Sequence, residues 1–128
     1  MSLKAYQKAV TTTESPRQME YRAFATATRG LIDAAALPEI ELGRRGEALA
    51  QNRRLWSLLA TDCSSEGNQL PMSLRAQIIS LSIFVDKHSS AVMREGASFD
   101  ILIELNRTIM QGLAASPGAT ATAEAAAV

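Results

Sequence analysis

Residues 71–94 read PMSLRAQIISLSIFVDKHSSAVMR, and the spacing of their apolar side chains decides the fold. Leu74, Ile78, Leu81, Val85, His88 and Val92 recur at intervals of three and four, the period of one helix face. Ile79, Ile83 and Phe84 flank that line, so the apolar surface covers more than one face. Pro71 suits the first turn of such a helix, and Gly96 supplies a stop just beyond Arg94. A helix apolar on several sides is either central in a bundle or partly reserved for a partner. No stretch sustains period-two alternation, so the chain predicts an all-α fold.

The neighbouring segments extend the same pattern. Upstream, residues 61–70 read as a turn through Asp62, Ser64, Ser65, Gly67 and Asn68. Before it, residues 47–60 predict a helix carrying Leu49, Leu55, Trp56, Leu58 and Leu59, while Gly43 and Gly46 blur its start. An earlier helix opens with Ser15 as N-cap, Pro16 at the first helical position and Gln18 completing a capping box. Its apolar line is Tyr21, Phe24, Thr28, Leu31 and Ala35, widened by Met19 and Ile32, and Pro38 ends it. A short further helix is expected at residues 3–10.

Downstream, Ser98 caps a last helix presenting Ile101, Leu102, Leu105, Ile109 and Leu113, with Asp100 near its positive end. The expectation is a small bundle of four to five helices over residues 1–113. Residues 114–128 hold eight of the 22 alanines and a single charge, Glu124. With Ser116, Pro117 and Gly118 breaking the pattern, they read as a flexible Ala-rich tail.

Composition narrows the function classes. The 128 residues include 13 basic and 13 acidic side chains, and this zero net charge argues against a general polyanion binder. The balance is uneven: residues 1–60 carry nine basic and six acidic groups, residues 61–128 four and seven. An apolar fraction of 47% is enough for the core of one domain. One cysteine excludes both an intramolecular disulfide framework and a multi-cysteine zinc site. The first ten residues lack the apolar block of a signal peptide, and the longest uncharged stretch, 108–123, contains Gln111, Ser116, Pro117 and Gly118. A soluble, cytoplasmic protein without membrane insertion is expected.

Catalytic signals are sparse. His88 falls on the apolar line of its helix, where a satisfied boundary histidine is the simpler reading than a base without a partner. Cys63 reads as a small buried thiol, since a nucleophile needs an activating base. Glu39 and Glu41, two apart beside a proline, do not face each other on a helix. No glycine-rich phosphate loop and no metal-ligand spacing occurs. The chain is expected to be no enzyme, with no catalytic residues, cofactor or metal.

Gln51-Asn52-Arg53-Arg54-Leu55-Trp56 is more distinctive, with two guanidinium groups and the sole tryptophan within two turns. One reading is a polar clasp, in which Asn52, Asp62 and Asn68 hold loop backbone over Trp56. The other is a recognition patch, since tryptophan and arginine are enriched among binding hot spots. Arg44, Arg45, Arg53 and Arg54 also suggest a phosphate-binding stripe. Glu39, Glu41 and Glu47 interrupt it, so a solvated, ion-paired face is favoured over direct RNA contact.

Several blocks together resemble the FlaF family of flagellar biosynthesis regulators. They are Met1-Ser2-Leu3-Lys4-Ala5-Tyr6-Gln7-Lys8-Ala9, then Glu14-Ser15-Pro16-Arg17-Gln18-Met19-Glu20-Tyr21-Arg22-Ala23-Phe24. The most specific is Asn52-Arg53-Arg54-Leu55-Trp56, followed by Thr61-Asp62-Cys63 and Gly67-Asn68-Gln69-Leu70-Pro71. Leu74–Leu81 continues the likeness and Ile103–Leu113 closes it, in the family's order over residues 1–113. Phe84 stands where the family often has tryptophan, a mild departure.

The resemblance implies a role in flagellin synthesis and export, as a flagellin-binding secretion chaperone or as a regulator of flagellin expression. Flagellin is then the expected partner, with the flagellar export apparatus or another flagellin regulator as further candidates. Flagellin's terminal segments are amphipathic helices that a small bundle can cover in a groove. Candidate contact residues are Arg53 and Trp56, with Ile78, Leu81, Phe84 and Val85 on one wall and Ile101, Leu105 and Ile109 on the other. The alternative is post-transcriptional control, acting on messenger RNA directly or through another regulator.

Overall fold

The computed structural model describes residues 16–114. The predicted helix at 3–10, the Ser15 cap and the Ala-rich tail lie outside the described residues. Four helices account for the fold: α1 (Pro16–Ala35), α2 (Leu42–Ser64), α3 (Met72–Glu95) and α4 (Asp100–Ala114). Among the described residues there is no strand, and the all-α expectation holds.

The boundaries differ from the sequence reading mainly in α2. This helix begins at Leu42, so Gly43 and Gly46 are absorbed into it, and it ends at Ser64, taking in Thr61, Asp62 and Cys63. Glycine costs a helix only about 1 kcal/mol, which the packing of Arg45 and Leu49 offsets. Pro71 precedes α3 at its cap instead of lying in the first turn. Gly96 stops α3 as expected: it adopts a left-handed φ of 70°, and the next amide, Ala97, donates back to the Ala91 carbonyl. Ser98 accepts the Asp100 amide at 3.0 Å at the start of α4.

The helices run up and down around a ring. Helix α2 packs along both α1 and α3, and α1 also packs along α4. Helices α3 and α4, although joined by a short connector, barely touch, and the two diagonal pairs do not pack backbone to backbone. Three sides of the ring are therefore closed and the fourth is loose. The core is Phe24, Leu31, Leu49, Trp56, Val85, Val92 and Leu102, with Phe24 set edge-on to Trp56 at 5.6 Å between ring centres. On α1 the buried face is Phe24, Ala27, Thr28, Leu31 and Ala34; Tyr21 and Ala35, expected on it, are exposed. The small alanines let α1 sit close to its neighbours, and the larger tyrosine stays at the edge.

A polar network crosses this core. Trp56 Nε1 donates to Asn106 Oδ1 at 2.8 Å, and Asn106 Nδ2 donates to Asn52 Oδ1 at 2.8 Å and to Thr28 Oγ1 at 3.1 Å. Thr28 in turn donates to the Phe24 carbonyl at 2.6 Å. An indole nitrogen can only donate, so it fixes which end of the Asn106 amide faces Trp56, and hence which end of Asn52 faces Asn106. Every donor then has an acceptor except Asn52 Nδ2, which finds none among the described residues.

This asymmetry ranks the two asparagines. Replacing Asn106 with alanine strands the buried indole N–H and removes the link between three helices, so Asn106→Ala should cost about 3 kcal/mol. Asn52→Ala removes one bond but also the unpartnered donor, and should cost only about 1 kcal/mol. Urea unfolding of both variants checks the order; equal losses would contradict it. Gly96→Ala should cost about 1 kcal/mol through its left-handed φ, read as a lower melting temperature.

Candidate functional site

A helix turns about 100° per residue, which sorts each side chain onto a flank. On α3, Arg75, Asp86 and Met93 mark the flank that meets α2. Arg75 reaches the Cys63 carbonyl at 3.5 Å, Asp86 lies 3.8 Å from Arg53, and Met93 lies against Gly46. The opposite flank carries Leu74, Leu81, Phe84 and His88. It turns toward α4, because His88 Nε2 sits 2.7 Å from the Ser98 carbonyl in the α3–α4 connector. Phe84 stacks on the His88 ring at 5.5 Å and is 41% exposed.

The same reasoning orients α4. Met110, 3.7 Å from Thr28 Oγ1, faces α1. Ile101, Leu105 and Ile109 fall on the other flank, spaced by four residues along the edge nearest α3, and all three are half-buried. The loose side of the ring is thus a trough with two apolar walls: Leu74, Leu81 and Phe84 from α3, and Ile101, Leu105 and Ile109 from α4. Leu74, Leu81, Ile101, Leu105 and Ile109 pack partly against the core cluster, while Phe84 is exposed. The sequence names every one of these residues except Leu74 as a contact candidate.

Other candidates fall elsewhere. Trp56, Ile78 and Val85 are buried in the core and have no free face to offer a partner. Trp56 therefore acts through its bond to Asn106, which periodicity cannot foresee because the two are fifty residues apart. Arg53 lies on the α2–α3 side, beside Asp86 and away from the trough. The phosphate-binding stripe, already disfavoured by the sequence, does not form a single face. On α2, Arg44, Arg45, Arg53 and Arg54 point to four different flanks. Arg45 is buried, with its guanidinium 5.0 Å over the Phe99 ring and 3.3 Å from the Leu37 carbonyl.

The clasp is real but differently staffed. Asn68 donates to Asp62 at 3.1 Å and accepts the Leu70 amide at 3.0 Å, while Ser65 donates to the Asp62 carbonyl. Asn52 has no part in it, being committed to Asn106. Cys63 is buried beneath this turn as a free thiol. Burial pushes its pKa up, with Asp62 and Glu20 adding to the rise and Arg75 opposing it. The rise disfavours the thiolate, which is the nucleophilic form. Glu20 is also raised, first by burial and then by Asp62, with Arg17 opposing.

No helix among the described residues is long and apolar enough to cross a membrane. A family model described as flagellar protein FlaF matches residues 2–113. No curated protein and no solved structure matches the chain.

Two measurements follow from the lower end of the bundle. A carboxyl whose pKa is raised by folding stabilises the protein below its unfolded pKa and loses that contribution as pH rises through the folded value. Glu20→Gln should therefore melt higher than the natural chain at pH 7, and the gap should close below about pH 4, under the ordinary glutamate value. A gap that widens on acidification would contradict the assignment. Cys63 should resist a thiol reagent at pH 7 until the chain is unfolded.

Proposed function

The chain belongs to the FlaF family of flagellar proteins, and from that premise we propose that it binds flagellin in the cytoplasm as an export chaperone. It covers one amphipathic terminal helix of flagellin in the trough between α3 and α4, and so promotes flagellin synthesis and secretion. The observation that carries this reading is the open fourth side of the ring, walled by Leu81 and Phe84 on one helix and Ile101, Leu105 and Ile109 on the other. A groove between two helices takes a third as an added element, whose apolar residues at every third and fourth position enter between the walls.

Magnitudes suit a transient chaperone. Each large apolar side chain withdrawn from water contributes roughly 1.5–3 kcal/mol. Three or four such anchors, reduced by the cost of ordering the flagellin segment, leave affinity near the micromolar range. The partner must be released at the export apparatus, so tighter binding would be a disadvantage. The reading needs neither catalysis nor a cofactor.

Direct control of messenger RNA has no comparable support. The four arginines that suggested it fan around α2, and one of them is buried. Regulation through a protein partner is compatible with the trough, since a chaperone that is free or filled reports on flagellin supply.

Purified flagellin should co-elute with the protein and fail to do so once its terminal segments are removed. Leu105→Asp places a charge in the trough wall and should weaken binding about 30-fold. Leu58→Asp alters a residue 63% exposed on α2, and should leave binding within a factor of two. Unchanged affinity for Leu105→Asp, with circular dichroism showing the fold intact, would overturn the proposed site.

A further inference from the structure

The end of the bundle opposite the Cys63 turn carries a second surface that the trough does not use. We propose that the α1–α2 connection is a docking knob: Ile40 and Leu42 enter an apolar pocket with a basic rim on a second protein, distinct from the occupant of the trough.

The backbone holds this connection in one shape. The Glu41 amide donates to the Pro38 carbonyl at 3.0 Å, closing a turn whose corner is Glu39 and Ile40. The Leu42 amide then donates to the Ile40 carbonyl at 2.8 Å. Glu41, between them, has φ −77° and ψ 58°, the geometry of an inverse γ-turn. Arg45 braces the turn from behind: its guanidinium, buried over the Phe99 ring, reaches the Leu37 carbonyl. Two consecutive turns and a buried arginine thus present Ile40 at a fixed point.

The side chains on this tip do not suit a solvated turn. Turn corners favour Gly, Pro, Asn, Asp and Ser. Here Ile40 is 85% exposed, more than any other large apolar side chain among the described residues, and Leu42 is 58% exposed. One exposed apolar residue is ordinary. A β-branched one at a braced corner, with a second two residues on, makes a projecting apolar tip, and binding residues concentrate on loops that a rigid scaffold positions.

Charge selects the occupant. Glu39 and Glu41 flank Ile40 and are exposed. Among the described residues neither has an ion-pair partner, and the Glu41 side chain makes no capping bond to α2. Arg44 leaves the helix about 200° around the axis from Leu42, on the other side. This acidic collar repels anionic lipid headgroups and RNA phosphates. A two-fold contact between copies would set the same collars against each other. An amphipathic helix seeks a groove and gains nothing from a projecting tip. A pocket rimmed by lysine or arginine on a different protein satisfies both the shape and the charge.

The inference does not rest on the flagellin reading, and a photo-crosslinking amino acid at position 40 of the full chain, in its native cells, tests it alone. The probe should form an adduct with one protein other than flagellin, at a peptide where lysine or arginine adjoins apolar residues. The Glu39→Lys, Glu41→Lys double variant should lower that yield about tenfold. If circular dichroism shows the reversed chain unfolded, the neutral Glu39→Gln, Glu41→Gln pair should read the same loss at about threefold. The probe at position 58 should leave this protein uncaptured. An adduct that survives the charge change, one at a peptide without basic neighbours, one with flagellin, one with a second copy of the chain, or no adduct at all would overturn the inference.

Discussion

The hydrogen bond from the Trp56 indole to Asn106 is the constraint on which the remaining architecture depends. It lies where neither group meets water, and in such surroundings an unmade bond costs more than a made one contributes. Because the indole nitrogen can only donate, one contact orders the whole chain of amides and hydroxyls from α2 through α4 to α1. Helix α4 is thereby drawn onto α1 and across the core toward α2. Helix α3 is held on the far side of α2 by packing and by contacts such as Arg75 to the Cys63 carbonyl. Among the described residues no buried hydrogen bond joins α3 to α4; His88 reaches only the Ser98 carbonyl of their connector.

The trough follows from that imbalance. Four amphipathic helices could close all four sides of a ring, but a polar hub that ties three of them fixes α4 at a distance set by bond geometry. The apolar residues on the facing flanks, Leu81 on α3 and Leu105 and Ile109 on α4, are then only partly buried against the core, and Phe84 stays exposed. The proposed task, covering an amphipathic helix, would draw on such a deficit and on a frame that keeps the two walls apart. The same core bond that stabilises the bundle therefore leaves one side of it unfinished.

Much of this was legible in the sequence, for identifiable reasons. Helix spacing located α3 and α4 and put Leu81, Phe84, Ile101, Leu105 and Ile109 among the contact candidates, because an apolar stripe too wide for one neighbour is visible in a linear pattern. Glycine and serine signals marked the α3–α4 connector correctly at Gly96 and Ser98. Fold class and family likeness were equally accessible. Long-range polar pairing was not. Asn52 looked like a loop clasp because Asp62 and Asn68 are near it in sequence, whereas its partner, Asn106, is on another helix. Trp56 looked like a recognition residue for its chemistry, and only the packing of α1 and α4 around it shows that it is sealed inside. The arginine stripe was rightly disfavoured on its interrupting glutamates, and the divergence of successive residues by about 100° around the helix axis gives a second reason.

The central claim is that the partner enters between α3 and α4, and a photo-crosslinking amino acid placed on the rim tests it most directly. Substituted at Phe84, the probe should capture flagellin through its terminal segment on irradiation, while the same probe at Leu58 should capture none. Capture from position 58 with none from position 84 would contradict the account.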